Sequence, residues 1–465
     1  MSAMRPQAVT LVGAGLAGSL LALALARRGF AVTVYERRPD PRVGAIDAGR
    51  SINLALAERG IRALERCGIM SAVKPLLIAM RGRIVHHPGA QAALLPYGLR
   101  HSEVIYSVSR AALNRVLIDA AAQQGAALCF GQTCIGVDTD ANTLRLRDNS
   151  TLLEYTRPLS PCVATDGAGS VVRGHLAARG LTVVRQERLD HGYKELALPS
   201  VADDFALEPE ALHIWPRGGF MLIALPNLDK TFTATLFLNT EGATSFAGLS
   251  TSAAVNAFVT AQFPDLTPFA PGLVAQFARN PHGSLATIHA SSWHDRGTVL
   301  LLGDAAHAIV PFHGQGMNAA FEDCAAFDEL LECHDDWSTL FAEFERLRRP
   351  NAAAIAQMAL ENYIEMRETV LDPKFRRTKM ISLMLEERFP DRFVPRYSMV
   401  MFHPEIPYAE ALHRGSTQAA ILDELDERRD PSGDIDARLA ERLVTERLAV
   451  ISGGTEGQWC FPKNP

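Results

Sequence analysis

The sequence predicts an α/β fold: a discontinuous parallel-sheet unit, an inserted mixed or antiparallel β-sheet, and a C-terminal helical region. Two strand-turn-helix passages far apart in the chain predict the first part. Ala8–Val12 leads into Gly13-Ala14-Gly15-Leu16-Ala17-Gly18 and a helix-like stretch over 19–28. Residues 298–302 lead into Gly303-Asp304, a second glycine-rich turn at 314–316 and another helical stretch from Ala319. Short apolar runs followed by helical periodicity read as units of a parallel sheet. From about residue 187 to 291 the pattern changes to strands separated by turn residues, and from Trp337 onward it is mostly helical.

Taken in order, Ala31-Val32-Thr33-Val34-Tyr35 is a second strand ending in Glu36, and residues 56–67 read as a helix. Extended segments around 82–86 and 103–108 flank a loop containing Pro96-Tyr97-Gly98. Ser109 can cap a helix running through Leu113 to Ala122, because its hydroxyl can accept a first-turn amide. Further short strands reach Ala164-Thr165-Asp166-Gly167, an Asp-Gly turn ahead of a helical stretch. Residues 212–226 read as a hairpin and 230–238 as its neighbour. On the helix through 359–366, positions 362, 365 and 366 share a face. The amphipathic segment 434–444, with Ile435, Leu439 and Leu443 on one side, is expected to pack on the body. This gives a cofactor unit of 1–75, 100–185 and 290–336, a β-sheet substrate unit of 76–99 and 186–289, and a helical region of 337–465.

At 465 residues the chain can hold two or three structural units and a large core. A net charge of -6 with 21% charged residues gives no electrostatic reason to expect nucleic acid. Seven cysteines without a CxxC pair disfavour a disulfide framework, a zinc knuckle and a dithiol oxidoreductase, so no metal is expected. Arg5 before the apolar run 8–26 could mimic a targeting signal. The motif glycines and the strand after Gly29 argue that this segment is retained. No later run reaches the roughly 18 apolar residues of a membrane span. A cytoplasmic location is expected; the oligomeric state is left open, a homodimer included.

The glycines of the first motif permit a tight turn, close approach of backbone to a pyrophosphate, and close helix-strand packing, with the helix N-terminus facing the anion. Glu36 lies at about the 20-residue separation expected of an acid that binds a ribose hydroxyl. A glycine motif alone is weak; the strand-turn-helix-strand-Glu context makes the unit Rossmann-like and dinucleotide-binding. Asp304 at a strand end, followed by a glycine-rich turn opening a helix, is a second gripping arrangement. Together the two imply one ligand held from both ends of the chain.

These motifs and the Asp166-Gly167 turn, in this order, resemble the class A flavoprotein aromatic hydroxylases. The likeness is closest to the kynurenine-hydroxylating members of that family. It is carried there by Arg50-Ser51-Ile52-Asn53-Leu54-Ala55-Leu56-Ala57-Glu58-Arg59-Gly60, His191-Gly192-Tyr193-Lys194-Glu195-Leu196, His213-Ile214-Trp215-Pro216 and Pro311-Phe312-His313-Gly314-Gln315-Gly316-Met317-Asn318. It extends from about residue 8 to 415. Thr165 departs from the small residue the family more often has there. The eukaryotic relatives' C-terminal membrane segment has no counterpart, so the expectation is a soluble, bacterial-type enzyme. The resemblance implies bound FAD, transient NADPH without its own Rossmann unit, and O2 that reaches L-kynurenine as a flavin C4a-hydroperoxide to give 3-hydroxy-L-kynurenine. The substrate's own aniline activates its ring, so no catalytic acid or base is assigned.

By the same resemblance, Gly13, Gly15, Ala17 and Gly18 line the FAD pyrophosphate, with Glu36 at the ribose and Tyr35, Arg37 and Arg38 around the adenine, a solvated basic pair being an equal reading of the two arginines. Ala55 and Arg110 match positions at the flavin and the phosphate-ribityl region. Cys134 and Val171 match through backbone proximity, with core packing an equal reading. Asp304 takes the ribityl side, and Gly314, Gln315, Gly316, Met317 and Asn318 the pyrimidine edge. Arg83 and Tyr97 match a carboxylate-binding pair, with Arg81 a competitor. Asn362 would bind the substrate end, Glu365 and Met366 would support the pocket, and Tyr397 completes the set. Ile105, Leu212, Met221, Ile223 and Phe237 match apolar walls, and Pro311, Phe312 and His313 position the ring. Without the resemblance, each pocket residue reads first as structural. Alternatives are a flavin hydroxylase for another aromatic acid and a non-catalytic FAD-binding sensor. A halogenase is disfavoured because there is no WxWxIP segment, and an NAD-dependent dehydrogenase leaves 303–318 unexplained.

Overall fold

The computed structural model describes residues 4–5, 7–43, 53–87, 92–368, 372–430 and 434–451. Arg50, Ser51 and Ile52 of the quoted motif lie outside the described residues. A six-stranded sheet runs in the order His294–Asp295, Val299–Leu301, Cys162–Ala164, Ala8–Val12, Ala31–Glu36 and Ala127–Phe130. All pairings are parallel except that of the first, short edge strand. The central strands, buried on both faces, are almost wholly apolar: Leu11, Val34, Val163 and Leu300 are fully enclosed.

Register makes this sheet a site. Val12 is level with Tyr35 on one side and Ala164 on the other, and Ala164 is level with Leu301. The Gly13 turn, Glu36, the Asp166 turn and Gly303-Asp304 therefore leave the sheet at one carboxyl-terminal edge. That is where ligands bind in open parallel sheets.

The seven-stranded sheet is mixed, in the order Gly283–Ala290, Val184–Leu198, Phe232–Asn239, Met221–Pro226, Ala211–Pro216, Gly82–Val85 and Ala93–Pro96. Only Ala211–Pro216 beside Gly82–Val85 is parallel. Side chains alternate between its faces. Leu212, Ile214, Met221 and Phe237 join one buried cluster, and Trp215, Phe220, Leu222 and Phe232 join another.

Two local readings are corrected. The helix expected over 56–67 is Glu58–Arg66, because Asn53–Leu56 pairs as a strand with Ile105–Ser109. Residues 187–291 are not all strands and turns: Ser252–Gln262 and Leu273–Arg279 are helices. Thr251 caps the first through Ala254 N, and Val255, Phe258, Leu273 and Phe277 cover the sheet's second face. Ser109 caps its helix as expected, accepting from Ala112 N.

The C-terminal region holds the 31-residue helix Trp337–Arg367 and the helices Pro373–Arg388, Arg396–Phe402, Tyr408–Glu427 and Ala437–Arg447. In the last, Leu439 and Leu443 are buried against Leu385, Phe393, Ile421 and Leu425, so the amphipathic segment packs on the body. Among the described residues no helix is long and apolar enough to cross a membrane.

Candidate active site

The first glycine turn is shaped by contact on two sides and open on the third. Gly13 has φ +102°, and a Cβ there would lie 2.6 Å from the Thr165 carbonyl. A Cβ on Gly18 would lie 2.0 Å from the Gly13 carbonyl, whereas one on Gly15 would meet nothing within 4 Å. The open side is where an anion can approach the backbone. Thr165, the departure from the family pattern, puts its hydroxyl on the carbonyls of Val12 (3.0 Å) and Gly13 (2.9 Å), clasping the turn from the neighbouring strand. Gly18→Ala is expected to abolish cofactor retention, since its nearest obstacle is backbone; flavin absorbance per mole of purified protein checks this.

Glu36 is buried and accepts from Ala14 N (2.7 Å) and from Arg38 N and Nε (2.9 Å each). Burial pushes its pKa up, but the bonds from Arg38 and Ala14 outweigh this and hold it below the usual range. Tyr35 is half-buried, and Arg37 and Arg38 are exposed beside it. Cys134 is in the core, its thiol facing the Gly136 carbonyl and pushed up to about 11 by burial. The amide of Val171 is occupied by Asp166 at 2.8 Å.

The second motif meets the first directly: a Cβ on Gly303 would lie 3.6 Å from Ala17 Cβ. Asp304 remains accessible to solvent, although the surrounding protein desolvates its carboxyl. Burial raises its pKa against the pull of His307 and Arg110. Its segment is held by Asp323, fully buried, which accepts from Gly303 N (3.2 Å) and pairs with His307 Nε2 (2.6 Å).

Gly314 is left-handed, with φ +67°, and a Cβ there would lie 3.2 Å from Ala55 Cβ. The helix Gly316–Cys333 starts here without any side-chain cap, so its first amides are unclaimed from within. Asn318 donates to the Ala55 and Gly314 carbonyls (2.9 Å each) and accepts from Ala57 N (2.9 Å), tying the Asn53–Leu56 strand to the helix start. Met317 is buried in the cofactor-side core. A carboxylate at a strand end, an open glycine turn, an accessible Asp304 and an uncapped helix start fit an FAD held from its ribose to its flavin.

Beyond this seat lies an apolar cluster that Ile105, Leu212, Met221, Ile223, Phe237, Phe312, Met366 and Tyr397 share. Phe312 stacks on Tyr363 at 3.8 Å between centroids. Pro311 is exposed. Asn362 donates to the Phe312 carbonyl at 2.6 Å and also faces Met366 Sδ, so it braces the segment that precedes the helix. At one end Arg83 lies 3.3 Å from Glu365, over the Tyr397 ring (4.6 Å) and near that of Tyr97 (5.8 Å). Burial pulls the Arg83 pKa down, but Tyr397, Glu365 and Tyr97 together raise it. Arg83 Nε and the Tyr97 hydroxyl lack any partner in hydrogen-bond geometry. A guanidinium N–H and a hydroxyl, both unpaired, suit a carboxylate. Arg81, the competitor, pairs with Glu210 on the surface.

His313 stacks on Tyr397, and its Nδ1 has no partner. Burial, reinforced by Arg83, Arg396 and Arg59, pushes it down to about 3, so its imidazole is neutral at working pH. Residue-level reading missed Tyr363, Lys379 and the buried charges Arg59, Glu322, Asp323 and Arg348. Lys379 sits near Arg83 and Glu365, its pKa lowered by burial. Tyr363 could have been found, since it adjoins Asn362 on the same helix.

A family model described as FAD binding domain matches residues 7–359. The chain is 46% identical over 454 residues to a kynurenine 3-monooxygenase of Xanthomonas axonopodis pv. citri (strain 306), covering 97% of this chain and 100% of the relative. It is 45% identical over 454 residues to a kynurenine 3-monooxygenase of Stenotrophomonas maltophilia (strain K279a), with the same coverage. Among solved structures, the tetrameric form of 2-methyl-3-hydroxypyridine-5-carboxylic acid oxygenase superposes with a TM-score of 0.62 at 20% identity. That match covers 79% of this chain and 95% of the other, and carries the fold.

Proposed function

The chain belongs to the FAD-binding-domain family and, within it, to the kynurenine 3-monooxygenases, and from that membership we propose that it converts L-kynurenine to 3-hydroxy-L-kynurenine. The balance is one substrate, one NADPH, one proton and one O2 giving hydroxylated product, NADP+ and water. FAD, when bound, supplies the chemistry that passes two electrons from NADPH to O2 and delivers one oxygen atom to the ring.

The residues' work is binding, orientation and exclusion of water. Arg83, Tyr97 and Tyr397 would take the amino-acid carboxylate, with Glu365 holding the guanidinium from behind and available to the ammonium. Phe237, Phe312, Met221 and Ile223 would sandwich the aniline ring against the flavin seat. His313, neutral and buried, would pack and accept a hydrogen bond but not carry a proton. The unclaimed amides at the start of the Gly316–Cys333 helix would stabilise negative charge on the flavin's pyrimidine edge, an effect of up to ~2 kcal/mol. The observation that carries the substrate reading is the Arg83 guanidinium over Tyr397 and near Tyr97, two rings of the apolar cluster that also holds Phe312 ahead of the glycine-rich turn.

Purified protein is expected to be yellow and to form 3-hydroxykynurenine from L-kynurenine, NADPH and O2, with product quantified chromatographically against NADPH consumed. A colourless preparation that FAD cannot reconstitute would overturn the cofactor assignment. Substrate-stimulated NADPH oxidation with a different aromatic acid, but not with kynurenine, would overturn the substrate.

A further inference from the structure

A buried group that the reaction itself does not use joins the two halves of the site. Arg59, 1% exposed, rises from the Glu58–Arg66 helix and donates to the carbonyls of Val400 (3.1 Å), Met399 (3.3 Å) and Ile406 (2.5 Å). It thereby gathers the negative end of the Arg396–Phe402 helix, whose first turn carries Tyr397. Its Nη1 also bonds Glu322 at 2.6 Å, and Glu322 lies on the helix that starts at the flavin seat. The Tyr408 ring lies under the guanidinium at 4.0 Å. The Tyr408 hydroxyl, fully buried, donates to Gln315 Oε1 at 2.7 Å, and Gln315 Nε2 faces Met401 Sδ at 2.9 Å. Gln315 immediately precedes the Gly316–Cys333 helix, so its backbone is part of the seat while its side chain points back into the C-terminal helices.

We propose that Tyr408 is a positioning residue for oxygen transfer: through Gln315 it fixes the flavin's pyrimidine-edge seat relative to the helix that carries Tyr397. The claim rests on the hydroxylase reading above. Its physical basis is the cost of unpairing. Gln315 is fully buried, and without the Tyr408 hydroxyl its Oε1 loses its donor, so the amide must turn and take the adjoining backbone with it. A seat displaced by a fraction of an ångström leaves electrons flowing to O2 but misaims the oxygen atom.

The test is Tyr408→Phe in the full-length, FAD-loaded protein, a change that keeps the ring under Arg59. FAD content should match wild type, and the visible spectrum and reduction potential of the bound flavin, measured without substrate, should shift. Product per NADPH oxidised should fall by about threefold or more, with the KM for kynurenine changed by less than about twofold. Gln315→Met, which keeps the side-chain length and removes the acceptor, should give the same shifts. Adding Tyr408→Phe to it should change nothing further, because the tyrosine acts only through that side chain. Wild-type spectrum and wild-type coupling in Tyr408→Phe would overturn the proposal, as would additive effects in the double variant. If Tyr408→Phe does not fold, unchanged coupling in Gln315→Met overturns it alone. Failure of the wild type to hydroxylate kynurenine would sink the functional reading instead, and the substrate-free flavin measurements would still decide the role of Tyr408.

Discussion

Arg83→Ala is expected to raise the KM for L-kynurenine roughly a hundredfold while leaving FAD content unchanged. The residue sits on the Gly82–Val85 strand of the seven-stranded sheet, away from the glycine turns, so its removal does not touch them. Truncating one member of a buried, hydrogen-bonded charge pair costs about 2–5 kcal/mol, and the part-buried Arg83–Glu365 pair belongs at the lower end of that range. Here Glu365 would stay with the Arg83 cation gone, repelling the carboxylate that Arg83 is proposed to attract. Arg83→Lys should recover only part of the loss, because an ammonium cannot offer the planar pair of donors a carboxylate accepts. Steady-state kinetics beside flavin absorbance per mole of protein separates the outcomes. Equal loss of substrate affinity and FAD would assign Arg83 to folding and remove it from recognition.

Asp323→Asn is expected to cost FAD affinity and stability together. Asp323 closes a buried chain of charges: Arg59 bonds Glu322, Glu322 bonds Arg348 Nη2 (2.7 Å), and Arg348 Nε bonds Asp323 (2.6 Å), which reaches His307 and the Gly303 amide. Two arginines face two carboxylates, so the chain is balanced only while each is present. Breaking such a network from one side costs about 3–5 kcal/mol. The cofactor feels it because Gly303 and His307 flank Asp304. Burial pushes the Asp323 carboxyl up, but His307 and Arg348 pull it further down, below its ordinary value. A depressed folded pKa means this contribution is present above the unfolded value of about 3.9 and fades as pH falls through the folded one. Asp323→Asn should therefore lower the thermal midpoint at neutral pH and flatten its decline in acid. The FAD dissociation constant should rise at least about tenfold, and excess FAD should restore part of the lost midpoint by mass action.

What was legible in the sequence was what is local. The glycine turns, the strand before each and the Ser109 cap depend on neighbours a few residues away, and all lie where periodicity and turn chemistry put them. The helices at 252–262 and 273–279 escaped because short amphipathic stretches of Ala, Val and Phe resemble strands until a sheet face is there for them to cover. Arg59, Glu322 and Arg348 escaped for another reason. Each occupies a helical position that a polar pattern assigns to solvent, and Arg59 meets Glu322 across 263 residues of chain.

The sequence by itself determined two glycine-rich turns, each after a strand, because the left-handed backbone at Gly13 and Gly314, the close approach at Gly18 and the Asp at a strand end are properties of short segments. Tertiary structure decided that these ends share one edge of one sheet, that Arg83 rather than Arg81 meets Tyr97 and Tyr397, and that the C-terminal helices are fastened to the Gly316–Cys333 helix and the residue before it through Arg59 and Tyr408. Burial of a charge or hydroxyl is set by which elements close over it, and its partners are chosen by that closure rather than by its neighbours in the chain.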